Sequence, residues 1–185
     1  MIEKITSLQN PRIKELVALQ TKSRERKSRG LFVIEGRREF ERAVASGYQP
    51  HTLFLCGRIA GNSASETIWK ECPVFEVSEA VYQKIAYREG TEGIVAVMKD
   101  RPAALEDLPL KENPLVIVLE SVEKPGNIGA VLRTADAAGA DAVIVCDPLT
   151  DLYNPNLIRS SIGGFFTVPT VACSSDECIA FLKSN

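Results

Sequence analysis

"VIVLESVEKPGNIGAVLRTADAAGADAVIVCD", residues 116–147, decides the fold. It reads as strand, glycine-containing loop, helix, glycine stop and second strand, which is a parallel βαβ unit. Ile128, Val131, Leu132 and Ala135 recur at i, i+3, i+4 and i+7, so they share one helix face against a sheet. Asn127 is placed to cap the helix start, and Gly139 stands where a left-handed residue would end it. Arg133 falls well round the helical wheel from the apolar face and points away from the sheet, flanked by the small residues Ala130, Thr134 and Ala137. Gly126 and Gly129 permit close approach of backbone to a ligand, and the free N–H groups of a helix start attract negative charge. The plainer alternative is a tight scaffolding turn, with Arg133 solvated and paired to Asp136. A dinucleotide site is a third reading, with Asp147 as the ribose acid, but the loop offers G-x-x-G and lacks the middle glycine of the fingerprint.

Outward from this unit the chain is organised as two α/β segments. Pro102, Pro109 and Pro114 interrupt a polar stretch at 101–114, which reads as a connector between a domain at 1–100 and another at 115–185. Before it, "LFVIE" (31–35), "HTLFLC" (51–56), "VFEV" (74–77) and "GIVAVM" (93–98) read as strands. They alternate with helices near Pro11–Leu19, Arg37–Ser46, Ala64–Glu71 and Glu79–Ile85. After it come "LVIVLE" (115–120), the helix opened by Asn127, "DAVIVC" (141–146), a short helix at Asn156–Ile162, a strand "FFTVPTV" (165–171) and a last helix from Ser175.

The 185 residues suffice for one medium domain or two small ones with a real core. A net charge of −2 makes the chain no polycation, so a nucleic-acid surface has to be a local basic patch. The first residues lack a signal-peptide core and no run approaches a membrane span, so a cytoplasmic location is expected. Five cysteines, Cys56, Cys72, Cys146, Cys173 and Cys178, are scattered without a C-x-x-C pair, and His51 is the only histidine. That pattern suits reduced thiols, and no metal is expected.

"KPGNIGAVLRTADAAGADAVIV" resembles the first signature of the SpoU/TrmH family of RNA 2′-O-ribose methyltransferases, whose N-x-G-x-x-x-R-T-A core is matched by Asn127, Gly129, Arg133, Thr134 and Ala135. "NLIRSSIGGFFTVPTV" is similar to the R-x-S-x-G segment that follows it, at Arg159, Ser161 and Gly163. "FVIEGRREFERAVASG" resembles the opening of that family's substrate-binding domain, which is similar to the ribosomal protein L30e fold, at Phe32, Glu35 and Gly36. The resemblance implies an L30e-like front domain and a parallel α/β SPOUT-type rear domain that is trefoil-knotted in the family. It further implies methyl transfer from S-adenosylmethionine to a ribose 2′-hydroxyl of ribosomal or transfer RNA, and a homodimer. Arg133 and Asn127 are the implied catalytic residues. A guanidinium rarely gives up its proton, so Arg133 suits a phosphate or a developing alkoxide better than the role of base. The family's later G-x-E-G and S-L-N-V-S-like segments have no counterpart, so the chain is expected to be a shortened form or a divergent relative with an incomplete cofactor pocket.

"KSRERKSR" (22–29) concentrates Lys22, Arg24, Arg26, Lys27 and Arg29, and Arg37 extends the patch; an RNA backbone would fit it. Arg159 and Ser161 are added to the RNA-facing set by the resemblance. Tyr82, Tyr87 and Arg88 are candidates to stack on or pair with an unstacked base, against the plainer reading of an aromatic cluster. Glu35 reads as structural, bracing the turn at Gly36. A non-catalytic RNA-binding module is the rival function.

Overall fold

The computed structural model describes residues 3–61, 72–87 and 92–184. The helix expected at Ala64–Glu71 and the side chain of Arg88 lie outside those residues. The chain divides into two compact units, Met1–Asp100 and Arg101–Asn185.

The first unit is built on a mixed sheet in the order β1-β4-β3-β5-β2, from strands β1 (Glu3–Ile5), β2 (Leu31–Glu35), β3 (Pro50–Leu55), β4 (Val74–Val77) and β5 (Ile94–Lys99). β1, β4 and β3 run parallel, whereas β5 is antiparallel to both β3 and β2. Helix α1 (Pro11–Thr21) starts where Asn10 accepts from the Arg12 N–H at 2.9 Å, with Pro11 preset for the first turn. Its Ile13, Leu16 and Leu19 bury against Val33, Phe54, Val77 and Ile85. The basic run forms helix α2 (Ser23–Arg29), closed by Gly30 at φ 62°. Helices α3 (Arg37–Ala45), α4 (Gly57–Ala60) and α5 (Glu79–Ile85) complete the described part of the unit. Glu35 accepts from the Tyr87 N–H at 2.9 Å, and Gly36 beside it sits at φ 98°, a conformation that glycine takes without strain. Tyr82 is buried and its hydroxyl accepts from the Gly93 N–H, whereas Tyr87 is largely exposed.

The second unit is a parallel sheet in the order β6-β7-β8, with β6 Val116–Glu120, β7 Ala142–Cys146 and β8 Thr170–Cys173. The expected α/β class with a parallel rear sheet is therefore what the chain adopts. Between the strands run α6 (Pro125–Ala138), α7 (Pro155–Ser161) and α8 (Gly164–Thr167), and α9 (Ser175–Ser184) follows β8. With sequential strand order, right-handed crossovers place α6 and the α7–α8 pair on one face of the sheet. Leu105 and Leu108, within the proline-rich stretch, pack on the cluster of Ile144, Cys146, Val171 and Cys178 together with Phe181.

Two expectations are corrected here. "FFTVPTV" is not one strand: Phe165 and Phe166 lie in α8, and β8 begins at Thr170. The left-handed pair Ile162 and Gly163 ends one helix and starts another, and Pro169 keeps the residue before it extended. Asn127 is not the helix cap either, because α6 begins at Pro125 after Lys124. Proline's fixed φ and missing N–H suit the first helical position, so the helix starts before the polar residue.

Asp141 joins the two ends of this unit's first βαβ segment: its carboxylate meets Lys111 at 2.6 Å and accepts from the Leu115 N–H at 3.0 Å. The Lys111 bond, then the Leu115 bond, hold its pKa below the ordinary 3.8. A lowered native pKa contributes stability that is present above the unfolded value and lost as pH falls through the native one. Asp141→Asn is therefore expected to flatten the acid limb of stability below about pH 4, read by urea unfolding at stepped pH.

Candidate functional site

The site is assembled around α6. Ile128, Leu132 and Ala135 are fully buried, so one stripe of the helix is committed to the core, and Gly139 at φ 67° ends it in the left-handed conformation expected. Gly129 lies on the flank facing α7. A Cβ there would sit 2.5 Å from the Leu157 carbonyl oxygen and 2.9 Å from Ser160 Cβ, and would also strike Ser160 Oγ. Gly164 plays the same part from the other side, since a Cβ on it would meet the Leu132 carbonyl oxygen at 2.9 Å and Arg133 Cα at 3.3 Å. The glycine expected to admit a ligand is occupied with admitting a helix. Gly126, by contrast, has nothing within 4 Å of its Cβ position.

These contacts join the two sequence signatures. Ser160, between Arg159 and Ser161, is what Gly129 touches, and its hydroxyl is turned inward to the Asn156 carbonyl at 2.7 Å. Ser161 is buried, with its hydroxyl donating to the Ile158 carbonyl at 2.6 Å. That internal bond satisfies its donor, so this residue, expected to face RNA, serves α7 instead. Arg159 is half-buried, and its guanidinium donates to Asn156 Oδ1.

Arg133 is exposed on the outer side of α6, with its backbone held against Gly164. Its guanidinium forms no hydrogen bond or ion pair among the described residues. The pairing with Asp136 does not form, because Asp136 accepts from the Thr167 hydroxyl at 2.7 Å and so links α6 to α8. Asn127 is exposed in the first turn of α6, also without a side-chain hydrogen bond among the described residues. Arg133 and Asn127 therefore both lie exposed on one helix whose inner face is buried.

At the carboxyl ends of the strands, Ser121 and Asp147 adopt φ values of 51° and 45°. Asp147 accepts from the Ser175 N–H at 3.2 Å and from its hydroxyl, and Glu120 also reaches that hydroxyl at 3.4 Å. Asp147 is therefore engaged at the start of α9, which removes the residue on which the dinucleotide reading rested.

In the first unit the basic set separates. Arg26 is 4% exposed, and its guanidinium donates to the Leu19 carbonyl at 2.7 Å and the Gln20 carbonyl at 3.3 Å, completing the end of α1. It is therefore removed from the expected RNA-facing surface. Lys22, Arg24 and Lys27 are exposed and unpaired among the described residues. Arg29 pairs with Glu15 at 3.4 Å, and Arg37 with Glu41 at 3.5 Å. The Arg29–Glu15 pair is weak enough to exchange for phosphate, whereas Arg37 is half-buried.

Residues 10–96 match an MRM3-like substrate binding domain, and residues 114–185 match the SpoU rRNA Methylase family. A 23S rRNA (guanosine(2553)-2'-O)-methyltransferase of Bacillus subtilis is 31% identical over 184 residues, which is 100% of this chain and 71% of that protein. A 23S rRNA (uridine(2479)-2'-O)-methyltransferase of Streptomyces viridochromogenes is 30% identical over 93% of this chain and 61% of its own length. A crystal structure of an AdoMet-bound rRNA methyltransferase from Sinorhizobium meliloti is 29% identical, with a TM-score of 0.86 over 99% of this chain and 69% of that one.

Gly129→Ala is expected to lower stability by about 1–3 kcal/mol through overpacking against α7. Gly126→Ala is expected to raise it by up to about 1 kcal/mol, through helix propensity alone. Urea unfolding of both variants checks the opposite signs.

Proposed function

The chain belongs to the SpoU rRNA Methylase family, and on that premise we propose that it takes part in methylation of a ribose 2′-hydroxyl of ribosomal RNA. The observation that carries this reading is Arg133, an exposed guanidinium without a partner among the described residues, on a helix whose backbone is clamped by Gly129 and Gly164. S-adenosylmethionine supplies the methyl group. The Asp147 carboxylate at the strand end is engaged by Ser175, and no described residue is assigned to hold the donor.

The chain's own residues act on the RNA. Arg133 presents up to five N–H donors to phosphate or to the oxygen that gains charge as the hydroxyl proton leaves, and a rigid mount keeps that charge in place without reorganisation. Asn127 offers a neutral donor and acceptor nearly two turns nearer the helix start, where backbone N–H groups add positive potential. Lys22, Arg24 and Lys27 give the first unit a sequence-independent hold on the RNA backbone, with Arg29 joining once its surface pair exchanges. A homodimer in the cytoplasm is part of the same reading. Among the described residues no helix is long and apolar enough to cross a membrane. A purely RNA-binding role is the less favoured reading, because the relatives above are named as methyltransferases.

The test is transfer of labelled methyl from S-adenosylmethionine to unmodified ribosomal RNA, with nuclease mapping to the ribose. Arg133→Ala is expected to reduce transfer by roughly 100-fold or more, while circular dichroism changes little. Label on a base, or full activity in the variant, contradicts the reading. RNA binding without any calorimetric response to S-adenosylmethionine transfers the assignment to the binding module.

A further inference from the structure

Three of the five cysteines, far apart in sequence, meet in the second unit. Cys146 ends β7, Cys173 is its register partner at the end of β8, and Cys178 lies in the first turn of α9. Their Sγ atoms all lie within 4.8 Å of one another. All three are free thiols; Cys146 and Cys178 are each 2% exposed, and Cys173 is half-buried and marks the solvent side. Ile144, Val171, Leu105 and Phe181 surround the group with hydrocarbon. The carboxylates nearby are already engaged, Glu177 by the Ser174 N–H and hydroxyl and Asp147 by Ser175, so the group contains sulfur donors only.

A free cysteine packs well as a small hydrophobe, and that explains any one of the three. Three sulfurs converging on one point also have the geometry of a chelate. Soft ions bind thiolate at about 2.3 Å, which puts three sulfurs around one ion somewhat less than about 4 Å apart. Modest χ1 rotations that move the sulfurs by roughly an ångström would close the group. Cys146 and Cys178 are almost wholly withdrawn from water among Leu105, Ile144, Val171 and Phe181, and an unbalanced charge in such surroundings is costly. Residual charge is therefore poorly tolerated here. Three thiolates leave two negative charges on monovalent copper and one on zinc, but none on a trivalent ion. We infer that Cys146, Cys173 and Cys178 form a three-thiolate site for trivalent arsenic, taken up as arsenous acid.

The exchange is balanced without an oxidant. Each arsenic–oxygen bond is replaced by an arsenic–sulfur bond, each thiol proton leaves with the displaced hydroxyl as water, and arsenic remains trivalent. The product ties β7, β8 and α9 together, so its formation stiffens the sheet beside α6.

The full chain is incubated with sodium arsenite and examined by native mass spectrometry and arsenic-edge X-ray absorption. The expected result is one arsenic per chain with the loss of three hydrogens and a coordination shell of three sulfurs. Cys173→Ala should reduce retention at least tenfold, and Cys56→Ala should leave it unchanged. Retention unaffected by Cys173→Ala, a shell containing oxygen, or zinc held in preference to arsenic overturns the assignment. The sulfur count on the unmutated protein decides the matter if the variant does not fold.

Discussion

Everything at the candidate site depends on how closely α6 lies against α7 and α8. Helices with ordinary side chains at their contact lie about 8–10 Å apart. Gly129 and Gly164 remove the side chains at the two points where the backbones meet, and there a single Cβ would fall within 2.9 Å of a carbonyl oxygen. The gain is dispersion over a dense contact. The consequence is positional. With Leu132 buried and Gly164 against the Arg133 Cα, the outer side of α6 has one setting, and the guanidinium projects from a fixed backbone.

This constraint also explains the polar arrangement around it. Ser160 and Ser161 return their hydroxyls to carbonyls of α7, which leaves no unsatisfied donor in the tight contact. Asp136 is turned to Thr167, away from Arg133. A carboxylate bound to the guanidinium would have to be displaced by RNA, so its engagement elsewhere leaves the positive charge available for the proposed substrate.

Much of this was legible in the sequence. The i, i+3, i+4, i+7 spacing identified the inner face of α6, the left-handed glycine at 139 marked its end, and Glu79–Ile85 was bounded as observed. What was hidden depended on tertiary partners. Gly129 reads identically whether it faces a ligand or a helix, and only Ser160, thirty-one residues on, distinguishes the two. Arg26 looks like any member of a basic run until α2 folds back on the carbonyls of α1. The phenylalanines of α8 have strand-like composition, and the left-handed pair before them is what returns the chain to helix. β1 was missed because its three residues are too short to show alternation. The thiol cluster has no sequence signature, since parallel strand register creates it.

The account is tested most directly by following the Arg133 side-chain Nε–H resonance by NMR as an unmodified single-stranded ribosomal RNA fragment is added. Saturable shifts at Arg133, with the amides of Gly129 and Leu132 nearly unmoved, are the predicted result: a charge engaging RNA from a rigid helix. RNA binding that leaves Arg133 unchanged, or that shifts Gly129 and Leu132 as strongly, contradicts it.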